Sequence, residues 1–122
     1  MRLEHVNLTV ADMDRSVAFY TRLFDIAPRW EGHTAGGSRA IHLGTDAWYL
    51  ALFEGAPGEV PINYTRVGYN HFGVVVDDLE AMKARVEALG GTIHMETDEE
   101  PGKRAYCYDP DGFEIEMIEY PA

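Results

Sequence analysis

The sequence predicts an α+β fold made of two tandem βαβββ modules. Two observations carry that prediction: an internal repeat, and a switch of hydrophobic period inside each copy. Displaced by 66 residues, "HVNLTVADMDRSVAFYTRL" (5–23) overlies "HFGVVVDDLEAMKARVEAL" (71–89), so that His5, Val10, Asp12, Ala18 and Leu23 fall on His71, Val76, Asp78, Ala84 and Leu89. Displaced by 65, "DAWYLALFE" (46–54) overlies "DGFEIEMIE" (111–119). Each copy begins with period two, passes to helical spacing and returns to period two.

In the first copy Val6, Leu8 and Val10 alternate as a strand, Asp12 suits the N-cap of a helix to about Phe24, and strands follow near 28–34, 38–44 and 48–54. In the second, Leu79, Met82, Val86 and Leu89 follow i, i+3, i+7, i+10 spacing, with Asp78 at the start and Gly90-Gly91 at the end. Strands near 92–96, 103–109 and 113–120 complete it. The Gly- and Pro-rich "GAPGEVPINYTRVGYN" (55–70) reads as a linker. The 122 residues thus form a single domain, with module 1 about 1–54 and module 2 about 71–122.

Composition narrows the function. A formal net charge of -11, from 21 acidic and 10 basic residues, argues against nucleic acid and anionic membrane as partners. A single cysteine, Cys107, precludes an intrachain disulfide and fits a reducing compartment. With no signal-like N-terminus and no long apolar run, a cytoplasmic location is the expectation.

Strand parity assigns faces. Val6, Leu8 and Val10 should pack under the first helix, and Phe72, Val74 and Val76 under the second. His5, Asn7, Thr9 and His71 then share the helix-free face. In "DPDGFEIEMIEY" (109–120), Phe113, Ile115 and Met117 take the helix side, leaving Glu114 and Glu116 with the histidines. Two repeat-equivalent imidazoles and a carboxylate form a two-His, one-carboxylate set suited to a divalent metal with open positions. Glu114 is expected at the rim. His42 aligns with Cys107 and is expected on the helix side, and His33 and His94 receive no role.

These stretches resemble the vicinal oxygen chelate superfamily, which includes glyoxalase I, extradiol dioxygenases, fosfomycin-resistance enzymes and bleomycin-resistance proteins. The resemblance covers essentially the whole chain. It implies that the eight strands form a curved, cup-like mixed sheet with the helices outside. It also implies metal ligands His5, His71 and Glu116, holding a divalent ion (Fe, Mn, Zn, Ni or Mg). Where glyoxalase I has a further carboxylate or amide ligand, this chain has Ala51, which favours a three-ligand site. Tyr106 matches a substrate-contacting tyrosine and is the catalytic candidate. From their own positions, Asn7 and Thr9, flanking His5 on the same face, are expected to contact substrate or to support the ligands, and Trp30, Trp48 and Tyr49 to be pocket or interface aromatics, with Trp30 a further substrate contact. The implied activity is dioxygenase, lyase or isomerase chemistry on a small organic molecule chelated through adjacent oxygens. The alternative is a metal-free, drug-sequestering protein of the bleomycin-resistance type. A homodimer sharing the metal site between subunits is expected.

Overall fold

Leu8 and Val10 are fully buried while His5, Asn7 and Thr9 are exposed, so strand β1 (His5–Val10) carries the predicted division between two faces. The computed structural model describes all 122 residues and separates them into two units, Met1–Gly58 and Glu59–Ala122.

In the first unit β1 is followed by α1 (Met13–Phe24), β2 (Ala27–His33), β3 (Arg39–Gly44) and β4 (Tyr49–Glu54). The second repeats the order with β5 (His71–Val75), α2 (Leu79–Ala88), β6 (Ile93–Glu99), β7 (Gly102–Tyr108) and β8 (Glu114–Glu119). Both sheets have the same topology, β1-β4-β3-β2 and β5-β8-β7-β6. The first and last strands of each unit pair in parallel and the others antiparallel. The eight strands form two four-stranded mixed sheets, with β1 and β2 at the edges of one and β5 and β6 at the edges of the other.

The helices lie where the repeat places them. Met13, Phe19, Tyr20 and Leu23 of α1 are buried where it packs on β3 and β4, with Leu43, Leu50 and Leu52 beneath. Leu79, Met82 and Val86 of α2 are buried over Ala105, Cys107, Ile115 and Met117. Each fully buried aliphatic side chain contributes about 1.5–3 kcal/mol relative to exposure. Asp12 accepts a hydrogen bond from the Arg15 amide at 3.1 Å, and Asp78 one from the Ala81 amide at 3.0 Å, as the N-cap reading requires. Beyond α2, Gly90 sits at φ +83° and the Gly91 amide returns to the Val86 carbonyl at 2.9 Å, which stops the helix.

A second capping device escapes the sequence pattern. Glu54, at the end of β4, accepts from the Met13 amide at 2.9 Å, and its repeat mate Glu119 accepts from the Leu79 amide at 2.9 Å. Each helix thus meets two carboxylates at its positive end. Glu119→Ala is expected to lower stability by about 1–2 kcal/mol and Glu119→Gln by less, since glutamine keeps an acceptor but not the charge; the urea midpoint checks both.

Cys107 is fully buried, and desolvation together with the nearby Asp109 pushes its thiol up to about 12. At pH 8 a disulfide reagent should leave it essentially unmodified in the folded chain and react rapidly once urea exposes it. Equal rates in the two states would contradict this burial.

Candidate metal centre

The register of β8 decides which side chains meet in the Glu59–Ala122 unit. Parallel pairing sets His71 beside Glu114 and Gly73 beside Glu116, while β7 sets Tyr106 beside Glu116 and Tyr108 beside Glu114. The intervening Phe72, Ile115, Met117, Ala105 and Cys107 are core residues, so the first set occupies the face away from α2.

His71 and Glu116 come together there, with Nε2 3.3 Å from Oε2. Two donors bound at about 2.1 Å and separated by 90–109° at a metal lie about 3.0–3.4 Å apart, so this pair has the spacing of adjacent ligands. Both side chains stay accessible, at 27% for His71 and 18% for Glu116. The other carboxylate oxygen, Oε1 of Glu116, accepts from the Tyr106 hydroxyl at 2.9 Å and the Arg104 Nε at 2.8 Å. Burial pushes the Tyr106 phenol upward and the bond to Glu116 adds to the shift, so its proton is held as a donor. Gly73 makes room: a Cβ there would stand 3.2 Å from Glu116 Oε2.

Glu114 is not at a rim. Its side chain is 4% exposed, and its Oε2 accepts from His94 Nε2 at 2.8 Å. Its Oε1 accepts from the Tyr64 hydroxyl, which also lies 3.0 Å from His71 Nδ1. Burial raises Glu114 above the usual carboxylate range, with the charge on Glu116 adding to the effect, and burial lowers His94 below the usual imidazole range. His94 stacks on Tyr108 with ring centroids 4.0 Å apart. Sequence reasoning missed three of these residues. Tyr64 lies in the stretch read as a linker, Arg104 carried no motif, and His94 sits in the register shift between Ile93 and Met95, where simple parity fails.

The equivalent face of the Met1–Gly58 unit is aromatic. His5, Tyr49, His42 and Trp30 form a ladder with successive centroids 4.8, 4.5 and 4.7 Å apart, and the Arg29 guanidinium lies 4.8 Å from the Tyr49 ring. His42 is thus not on the helix side. It pairs with Ala51, which pairs with Asn7, making Tyr106 its counterpart at a displacement of 64 rather than 65. Asn7 donates to the Ala51 carbonyl at 2.8 Å, and Thr9 is exposed on the same side. Trp48 instead packs edge-on against Phe24 of α1 at 6.1 Å. Of the expected ligands, His71 and Glu116 meet within one unit and His5 belongs to the other. Within neither unit do three His, Cys, Asp or Glu side chains converge as a ligand set. The His71–Glu116 pair, an imidazole and a carboxylate, has the donor chemistry of two ligands of a divalent metal.

The chain belongs to the Glyoxalase/Bleomycin resistance protein/Dioxygenase superfamily, whose sequence model matches residues 2–117. It is 30% identical over 128 residues to a probable lactoylglutathione lyase of Vibrio cholerae, covering 97% of this chain and 90% of that protein. It is 29% identical over 115 residues to the glutathione transferase FosA of Serratia marcescens, covering 94% and 78%. Among solved structures, SMU.1112c superposes with a TM-score of 0.81 at 27% identity, over 98% of each chain. A FosX mutant from Listeria monocytogenes, crystallised with Mn(II) and a dihydroxypropylphosphonic acid, gives 0.78 at 21% identity over 96% and 90%. No helix of the chain is long and apolar enough to cross a membrane.

Because Gly73 faces Glu116, Gly73→Val should turn the carboxylate away from His71. The expected readout is a displaced His71 side-chain resonance with helix content unchanged by circular dichroism; an unmoved resonance would show that the space beside Glu116 is not limiting.

Proposed function

We propose that this protein is a metal-dependent enzyme acting on a small organic molecule that chelates a divalent ion through adjacent oxygens. His71 and Glu116 are two ligands and His5 is the third, supplied across a homodimer. The observation that carries this reading is the 3.3 Å approach of His71 Nε2 to Glu116 Oε2 on the helix-free face. The presence of Ala51 at the position equivalent to Glu116 supports a three-ligand set with open positions for substrate.

A divalent cation bound there supplies positive charge to oxygens of the substrate as electron density builds on them. The rest of the work falls to side chains. Arg104 and Tyr106 fix the rotamer of Glu116 through Oε1, leaving Oε2 directed at His71. Tyr106 holds a proton within reach of the same face and is the candidate general acid. Asn7, Thr9 and Trp30 are proposed to line the substrate side from the first module.

A second reading, metal-free sequestration of an aromatic or cationic compound, is favoured by the exposed Trp30 at the end of the aromatic ladder and by the -11 charge. Metal analysis separates the two. Protein purified without chelators should carry stoichiometric metal, and His71→Ala and Glu116→Ala should abolish it. Equal, substoichiometric metal in wild type and variants would remove the enzyme reading. A screen of diols, catechols, hemithioacetals and acyl thioesters then addresses the reaction.

Sharing between subunits has its own test. Mixing His5→Ala with Glu116→Ala chains should regenerate intact sites in the heterodimers, since one site would draw His5 from one chain and His71 with Glu116 from the other. Absence of any recovery after verified subunit exchange would place all three ligands in one chain.

A further inference from the structure

Two acidic side chains are buried, Asp109 and Glu114. Asp109 is accounted for by its turn, where it accepts from the amides of Asp111 and Phe113 at 2.9 and 2.8 Å. Glu114 has no such local use. Burying a carboxylate is costly unless its oxygens are well supplied with donors, and those supplied here come from far along the chain: Tyr64 between the modules and His94 on β6.

Proton bookkeeping shows what the arrangement does. The Tyr64 hydroxyl has one proton and gives it to Glu114 Oε1. Its 3.0 Å contact with His71 Nδ1 must then run the other way, with Nδ1–H donating to the hydroxyl oxygen. Glu114 Oε1 itself lies 3.4 Å from the same nitrogen and favours a proton there, in competition with Glu116 Oε2, which lies 3.3 Å from Nε2 and favours a proton on that side until a cation takes its place. A neutral imidazole with Nδ1 protonated carries its lone pair on Nε2, the nitrogen that faces Glu116.

We propose that Glu114, acting through Tyr64, is a positioning residue that holds His71 in the Nδ1–H tautomer and so presents Nε2 as a metal donor. Its consequence for metal affinity rests on the metal-dependent reading above, whereas the tautomer itself does not. Histidine ligands are commonly oriented by a partner on the far nitrogen, and loss of such a partner weakens metal binding about 10–100-fold. The contact also gives the segment between the modules a chemical role, since Tyr64 is 60% exposed and its ring contributes little to the core.

The test uses the full chain. Side-chain ¹⁵N spectra of metal-free protein at pH 8 should show His71 protonated at Nδ1 and bare at Nε2. Tyr64→Phe, which keeps the ring and removes only the hydroxyl, should leave the circular dichroism spectrum unchanged, shift His71 toward the Nε2–H tautomer that Glu116 favours, and weaken Zn²⁺ binding about 10–100-fold in chelator competition. Glu114→Gln should act in the same direction. Wild-type His71 in the Nε2–H or doubly protonated form overturns the proposal, as does unchanged tautomer and affinity in Tyr64→Phe. If wild type takes up no Zn²⁺ yet shows the Nδ1–H tautomer that Tyr64→Phe disturbs, the metal reading fails while the positioning role of Glu114 and Tyr64 stands.

Discussion

The parallel pairing of β5 with β8 is the constraint on which the site depends. It fixes Gly73 opposite Glu116 and His71 opposite Glu114. A slip of one residue would bury both carboxylates under α2 and expose Ile115 and Met117, so the hydrophobic demand of the core and the placement of the polar groups are one condition. The size of the residue at position 73 belongs to the same condition. A glycine opposite Glu116 leaves the carboxylate free to lean along the sheet toward His71, whereas the first module has Asn7 opposite Ala51 and fills the equivalent space with an amide.

That comparison explains how one scaffold yields two unlike faces. The positions occupied by Glu114, Glu116, Tyr106 and His94 in the second unit are occupied by Tyr49, Ala51, His42 and Arg29 in the first. Hydrogen bonds between charged and polar groups dominate one, and ring stacking with a guanidinium over a phenol ring dominates the other. The helices, caps and cores are shared. Even the carboxylates at the ends of β4 and β8 serve the same purpose, each meeting the first amide of its helix. The polar chemistry diverges on the face that no helix covers, while the helix-covered sides of both units remain apolar.

Much of this was legible in the sequence because period two and the 65- to 66-residue displacement report directly on faces. The core positions, both helices with their Asp caps, and the pairing of His71 with Glu116 on one face follow from that alone. The failures have specific causes. The β3–β4 connection is one residue shorter than its counterpart between β7 and β8, so carrying the displacement back unchanged shifted His42 onto Cys107 and inverted its face. A displacement of 64 applied to β3 would have found it. The register shifts in β2 and β6 hid His94 and Arg29. Tyr64 lay outside any period, and Glu114 looked like a rim residue because nothing in its own strand shows that a hydroxyl from residue 64 comes to cover it.

Charge balance gives a reason for the asymmetry between Glu116 and Ala51. Under the three-ligand reading, two neutral imidazoles and one carboxylate leave a bound dication with a net charge of about +1. A second carboxylate at position 51 would cancel that charge and occupy a coordination position, weakening the hold on an anionic substrate oxygen. Under the same reading Arg104, at 2.8 Å from Oε1, would draw negative charge away from Oε2, so that the carboxylate would donate less density to a cation. Glu114, by contrast, accepts from Tyr64 at one oxygen and His94 at the other, and under the same reading it would bear on the cation through His71. Two acids on one face of one strand thus stand in different surroundings, set by the donors that each receives.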